Sequence, residues 1–476
     1  MKYKPTMDSV KKHPLPGWFK DAKLGIFVHW GLYSIPAYAP KNNIIDNLTE
    51  GGWRYHFKNN PYAEWYMNSM EIEGSDTWRY HQKNYGESLE YKDFVQPFTK
   101  VVEKWDPDEW ASLFEKTGAK YVVMGAKHHD GFLLFNSRKP QPFIEEWQTE
   151  RDVIGELGDS VRSRGMRYGV YYSSALDWSF NPGPIRDMAD LLTNGPTDSS
   201  YLDYVWKHWL EIIERYEPAV LWSDIGFPPG RELSELFSKY YNTVPEGVVN
   251  DRWKQIPAPA QWLFRRYPVR KLINYLARKM WVDGKLTTMA PEHCDYVTPE
   301  YSSFDEIFEK KWECVRGLGT SFGYNSLETS EDYMSSDELV HLLVDIVSKN
   351  GNLLINVGPD DNGNVPEEQK QILLNIGTWL DKNGEAIFGT RPWKIPGTHT
   401  PEGVKVRYTK KNDTVFAIVL DPEPGKQVTL KGLGNRSTIS ILGSDVTPEG
   451  YSRAGSFKTK IPEDLDETPA CVFKVK

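Results

Sequence analysis

Along most of the chain, short apolar runs rich in β-branched and aromatic residues alternate with stretches whose apolar positions recur at helical spacing. The runs are LGIFVHWG from Leu24, KYVVMGAKHHDG from Lys120, RYGVYYSS from Arg167, AVLWSD from Ala219, GVVNDRW from Gly247 and NLLINVGP from Asn352. YLDYVWKHWLEIIERY, from Tyr201, reads as a helix between two of them. PEEQKQILLNIGTWLDKNG follows the last run, with Pro366 in a first-turn position and Gly384 as the stop signal. Strands alternating with helices predict a parallel sheet. Two weaker strands are expected near Cys294 and Phe322, and eight in all close a (β/α)8 TIM barrel.

From about Thr390 the pattern changes to short alternating segments, VKVRYT, TVFAIVL, QVTLKGL, TISILG and ACVFKV, broken by the turn-like KKND and DPEPG. This predicts an all-β sandwich. A chain of 476 residues exceeds what one core usually supports. The expected division is therefore a catalytic barrel over 1–390 and a C-terminal β-sandwich over 391–476.

Polar residues gather where the barrel strands end: His29, His128, His129, Asp130, Ser173, Asp224, Asp251 and Arg252. In a parallel barrel these ends meet at one face, which brings side chains distant in sequence into one pocket. Composition adds limits. The net charge of -9 argues against nucleic acid or an anionic membrane as a bulk electrostatic partner. An aromatic content of 13% suits a sugar-binding cleft, and suits the packing of a large barrel equally well. Cys294, Cys314 and Cys471 are too few and too widely spaced for a disulfide framework or a zinc knuckle and read as reduced thiols. The N-terminus lacks the apolar core of a signal peptide and no run of about 18 apolar residues occurs, so the expected location is cytoplasmic as written, or periplasmic or secreted if a leader was removed. A homo-oligomer is compatible with all of this.

Glycoside hydrolysis by the retaining route needs one carboxylate to attack the anomeric carbon and a second carboxyl to protonate the leaving oxygen and then activate water. Asp224 is the candidate nucleophile. It ends AVLWSD at the expected barrel mouth, flanked by Trp222 and Phe227, although an aspartate after a strand is often only a helix cap. KHHDGF is dense in hydrogen-bonding groups; its imidazoles can bind sugar hydroxyls, with Asp130 placed to orient one of them. The rival reading is a metal-dependent barrel hydrolase with His29, His128, His129 and Asp224 as ligands. No HxH or HExxH spacing supports it, and His128 and His129 can share one ion only if their strand has already ended. Neither metal nor cofactor is therefore expected.

The segments WFKDAKLGIFVHWGLYSIPA, EWYMNSM, DEWASLFEKTGAKYVVMGAKHHDGF, GVYYSSALDW, AVLWSDIGF, VNDRW, RGLGTSFGYN and NLLINVGP resemble, in order from about Trp18 to Gly358, the signatures of glycoside hydrolase family 29, the α-L-fucosidases. The resemblance implies a barrel followed by a β-sandwich, double displacement through a covalent fucosyl-enzyme, and a fucosylated glycan as substrate. It carries the nucleophile onto Asp224. Fucose-hydroxyl contacts fall on His29, Trp65 with Glu64 beside it, His128, His129, Tyr171 and Arg252. For the apolar pocket around the fucose methyl, Phe27, Trp222, Ile225 and Phe322 stand at matching positions. A non-catalytic fucose-binding relative would lack a carboxylate, whereas Asp224 is present.

The acid/base is the position where this chain departs from the family's short pattern. DYVTPEY, from Asp295 to Tyr301, resembles a segment that supplies it and points to Glu300; a long insertion before it leaves Glu292, Glu306 and Glu313 as alternatives. The insertion, at about 254–292, carries Arg265, Arg266, Arg270, Lys271, Arg278, Lys279 and Lys285 against Asp283 alone. Its Leu272, Ile273, Leu276, Met280 and Trp281 predict an amphipathic helix, either a basic solvated face or a border of the aglycone site that favours anionic, fucan-type glycans.

Overall fold

The computed structural model describes residues 2–476 apart from 182, 283–289, 434–437, 445, 447 and 454, and only the backbone of 282, 452 and 453. Asp283 and Lys285 of the insertion lie outside the described residues.

Seven parallel strands form a curled sheet in the order β5-β4-β3-β2-β1-β7-β6. They are β1 (Leu24–Val28), β2 (Tyr121–Lys127), β3 (Arg167–Ser173), β4 (Val220–Asp224), β5 (Val248–Val249), β6 (Trp312–Gly317) and β7 (Gly351–Val357). β1, β4 and β7 are buried along their whole length, as continuous apolar runs inside a barrel must be. The eighth position is filled by an irregular segment. Asp295 N donates to Val249 O on β5 (3.0 Å), while Val297 and Glu300 make parallel bridges to Trp312 and Val315 on β6. The expected strand near Cys294 is thus this closing segment. The one expected near Phe322 lies earlier, at β6, because the glycines of RGLGTSFG interrupt the ladder and put Phe322 in the loop beyond it.

Helices wrap the barrel at the expected places. Ser199–Tyr216 is N-capped by Asp198, and Glu367–Asn383 begins after Pro366 and ends at Gly384. The insertion folds as two helices, Ala258–Phe264 and Tyr267–Val282.

The C-terminal strands are β8 (Arg391–His399), β9 (Lys405–Lys411), β10 (Thr414–Leu420), β11 (Gln427–Leu430), β12 (Ile439–Ile441), β13 (Gly450–Arg453), β14 (Ser456–Lys460) and β15 (Ala470–Val475). They form a five-stranded antiparallel sheet, β12-β15-β10-β9-β8, and a three-stranded one, β11-β14-β13. Val406, Tyr408, Val428, Leu430, Phe457 and Phe473 join the two in one apolar cluster. The opposite side of β10, Phe416 and Ile418, merges with the barrel's own core. No described helix is long and apolar enough to cross a membrane.

Candidate active site

All barrel strands run the same way, so their C-terminal ends share one rim. β4 ends on Asp224 itself. β1 stops one residue before His29, β2 just before His128 and His129, and β5 shortly before Asp251 and Arg252. The closing segment contributes Thr298 and Glu300.

Asp224 is held through both oxygens. Tyr171 Oη donates to Oδ2 (2.9 Å); Arg252 Nη1 (3.1 Å) and Ile225 N (2.9 Å) donate to Oδ1. The turn that follows is strained: Ile225, a β-branched residue, has φ 61°, and Gly226 has φ 121°. Arg252 Nη1 also lies 2.6 Å from Glu300 Oε1, so one guanidinium bridges the two carboxylates. Beneath it lies the Trp222 ring, 4.9 Å from the guanidinium carbon. Burial in the recess raises the Glu300 pKa; Arg252 opposes that rise, and the Asp224 charge adds to it.

The histidines are neutral acceptors. Burial pushes His29 and His129 down to about 4, against the opposing charge of Asp224. His29 Nδ1 pairs with Asn356 Oδ1 (2.6 Å), and the Asn356 amide nitrogen donates to Phe322 O. His129 Nδ1 pairs with Ser173 Oγ (2.7 Å), whose own proton goes to Leu176 O. In both pairs the partner oxygen accepts, which assigns the proton to Nδ1 and leaves Nε2 with a free lone pair. His129 Nε2 is 3.8 Å from Asp224 Oδ2. β2 has ended by Lys127, so His128 and His129 both turn into the site with ring centroids 4.0 Å apart. His128 Nδ1 is buried with no hydrogen-bond partner among the described residues.

Trp65 stands edge-on to His129 at 5.3 Å. Glu64, pushed up to about 7 by burial, accepts from Gly323 N (2.8 Å) and Ser321 Oγ (3.3 Å). Phe27, Trp222, Tyr171 and Phe322 share one apolar cluster beside His29. Ile225, expected with them, packs instead beside Trp65 and Trp178, because its backbone turns away after Asp224.

Other expectations need correction. Asp130 orients no histidine: its carboxylate accepts from Tyr91 Oη (2.9 Å) and Phe132 N (3.1 Å). Glu292 and Glu306 are exposed, whereas Glu313 is buried within the barrel, accepting from Tyr121 Oη (2.5 Å) and Trp222 Nε1 (3.2 Å). Of the four alternatives, Glu300 is therefore the one that reaches Arg252 and the rim. On the Tyr267–Val282 helix, Ala277 and Trp281 pack beside Trp53 and Trp65, but Leu272, Leu276 and Met280 face solvent. Arg270 is tied to Asp187 (2.7 Å) and Asp190 (2.9 Å), and Arg265 to Thr193 O.

Sequence reasoning missed Asn356 and Thr298. Asn356 was hidden inside the apolar run of β7; Thr298 matches a fixed position of the DYVTPEY pattern that points to Glu300, but was given no role of its own. Thr298 Oγ1 (3.0 Å) and O (3.0 Å) accept from Arg252. All three cysteines are free thiols. Among the described residues no three His, Cys, Asp or Glu side chains converge as a metal site.

Cleaving a glycosidic bond requires two carboxyl groups facing one small volume and, around it, groups that accept from hydroxyls without carrying charge; the rim supplies both, and the chain is a glycoside hydrolase. A family model described as alpha-L-fucosidase matches residues 1–385. An alpha-L-fucosidase of Dictyostelium discoideum is 33% identical over 92% of this chain and 86% of its own length. The crystal structure of Thermotoga maritima alpha-fucosidase with a mechanism-based inhibitor superposes with a TM-score of 0.84 at 39% identity, covering 99% of each chain. A Thermotoga maritima fucosynthase bearing glycine for an aspartate, in complex with a fucosyl-fucosyl azide, gives a TM-score of 0.85 at 38% identity over 100% of both chains. The chain belongs to the α-L-fucosidase family.

Proposed function

We propose that the protein is a retaining exo-α-L-fucosidase that releases terminal α-L-fucosyl residues from glycans, with Asp224 as nucleophile and Glu300 as acid/base. The observation that carries this reading is the Arg252 bridge. With Nη1 at 3.1 Å from Asp224 Oδ1 and 2.6 Å from Glu300 Oε1, these oxygens are too close for the roughly 6.5–9.5 Å gap of an inverting pair and suit the about 5–5.5 Å of a retaining one.

In the first step an Asp224 oxygen attacks the anomeric carbon while Glu300 gives its proton to the leaving oxygen. In the second, Glu300 takes a proton from water as that water attacks the same carbon and frees Asp224. The raised Glu300 pKa favours the acid form at the start. Ester formation removes the charge of Asp224, so the Glu300 pKa falls when a base is needed. His29 and His129 accept from sugar hydroxyls through Nε2, His128 and Trp65 line the same wall, and Arg252 donates. Phe27, Trp222 and Phe322 offer the apolar contact for the fucose methyl. A relative known with a mechanism-based inhibitor and as an aspartate-to-glycine fucosynthase is in keeping with a covalent route.

The test is release of nitrophenol from 4-nitrophenyl α-L-fucoside by wild type, Asp224→Ala and Glu300→Ala, with azide rescue. A β-azide from the Asp224 variant and an α-azide from the Glu300 variant are expected. A wild type that releases nothing sinks the assignment; a fully active Glu300→Ala moves the acid/base elsewhere.

A further inference from the structure

The Tyr267–Val282 helix of the insertion carries apolar side chains on two sides. Its inward side is spent on the barrel: Trp281 meets Trp53 edge-on at 5.9 Å, Ala277 joins the cluster that holds Trp65, and Asn274 Oδ1 accepts from Met188 N (2.9 Å). About a quarter-turn around the helix, Leu272, Tyr275, Leu276 and Met280 follow the i, i+3, i+4, i+8 spacing of a second stripe. This stripe faces water, with Leu272 53%, Tyr275 62% and Leu276 47% exposed. Trp262 and Leu263 on the Ala258–Phe264 helix are exposed as well, as is Tyr267. More than half of the large hydrophobic side chains exposed among the described residues therefore fall on these two short helices.

The charges among them are all of one sign. Residues 255–282 hold six Lys or Arg and no Asp or Glu. Lys271, Arg278 and Lys279 are exposed on the same helix, and the exposed Arg266 lies with its guanidinium carbon 4.1 Å from the centre of the Trp262 ring. This chemistry selects the partner. A second copy docked by twofold symmetry would set the cations of one face against those of the other. Nucleic acid would meet the cations and leave the leucines in water. A bilayer with acidic headgroups satisfies both: the headgroups take Lys and Arg, the acyl boundary takes Leu272, Leu276 and Met280, and Trp262, Tyr267 and Tyr275 suit the zone between. The chain as a whole carries a net charge of -9, which confines such contact to this face.

We propose that the insertion is a membrane-docking surface, its two helices lying in the headgroup region of an anionic lipid bilayer with Leu272, Tyr275 and Leu276 inserted. Docking uses no residue of the catalytic rim, so it goes beyond the fucosidase reading and stands or falls apart from it.

The experiment floats the full chain with vesicles of phosphatidylcholine alone, or of equal parts phosphatidylcholine and phosphatidylglycerol. Wild type should float with the anionic vesicles at low salt, stay behind with the neutral ones, and be released as salt rises. Leu272→Ser and Leu276→Ser should each weaken the partition about tenfold, the scale set by one buried leucine side chain. Lys271→Gln and Lys279→Gln should each weaken it about fivefold. Thermal unfolding unchanged from wild type shows that each variant is folded, so the outcome does not depend on turnover of any fucoside. A wild type that ignores anionic vesicles, binds neutral ones as well, or binds undiminished after the leucine substitutions overturns the proposal. Self-association of wild type in place of vesicle binding, lost in Leu272→Ser or Leu276→Ser, assigns the face to a second copy and overturns it too.

Discussion

Thr298 holds Arg252 from two sides, its Oγ1 accepting from Nε and its carbonyl from Nη2, each at 3.0 Å. The same hydroxyl and the Thr298 amide donate to Asp251 Oδ1 at 2.6 and 3.1 Å. Thr298 sits two residues before Glu300 in the segment that closes the barrel. One small side chain therefore locks the guanidinium against both carboxylates and ties the end of β5 to the strand-like segment beside it.

Thr298→Val removes the hydroxyl at nearly constant volume and leaves Arg252 Nε without that acceptor. kcat/KM on 4-nitrophenyl α-L-fucoside should fall about tenfold, the equivalent of roughly 1.5 kcal/mol for a hydrogen bond to a charged group. Thr298→Ser should recover most of it. Equal kinetics for Val and Ser would show that the hydroxyl does not position Arg252.

Glu313 sits fully buried under Trp222, and burial pushes its pKa from 4.5 to about 7, opposed by the Tyr121 and Trp222 hydrogen bonds. Between those values the folded chain keeps a proton that the unfolded chain has released, so the contribution of this group to stability is complete below about 4.5 and is lost as pH rises through about 7. Glu313→Gln carries no such charge. The stability of the variant minus that of wild type, from urea unfolding at successive pH values, should increase across this interval, by about 1.4 kcal/mol per unit of the shift. A difference flat in pH would mean that Glu313 is ionised throughout.

Gly226 adopts φ 121°, and a methyl there would meet Lys254 O at 2.4 Å. Gly226→Ala must displace the turn that sets Asp224. It should cost on the order of 1–3 kcal/mol of stability and lower kcat by more than KM changes. Unaltered kcat in a stably folded variant would show that the turn does not control the Asp224 carboxylate.

Much of this was legible before any tertiary contact was known. Hydrophobic runs located six of the barrel strands, and their polar ends marked Asp224, His29, His128, His129 and Arg252 as rim residues. The resemblance to the α-L-fucosidases added Glu64, Trp65 and Tyr171. The partners that set charge state were not legible. His29 finds its proton acceptor, Asn356, 327 positions away, because β1 and β7 are neighbours in the closed sheet although they lie far apart in the chain. Asp130 looked like a histidine partner because it is adjacent in sequence, yet Tyr91 and Phe132 take its oxygens. Glu300, Glu306 and Glu313 could not be ranked by spacing, since exposure, burial and contact with Arg252 separate them only in three dimensions.

The sequence by itself determined the barrel, the following sandwich, the rim and the identity of the reacting residue types, because periodicity and strand-end position depend on neighbours a few residues apart. Tertiary structure decided that an irregular segment and not a regular strand closes the barrel, that one arginine joins Asp224 to Glu300, and that burial keeps His29 and His129 neutral. Each of these depends on which distant segments meet, and on how much water is excluded where they do.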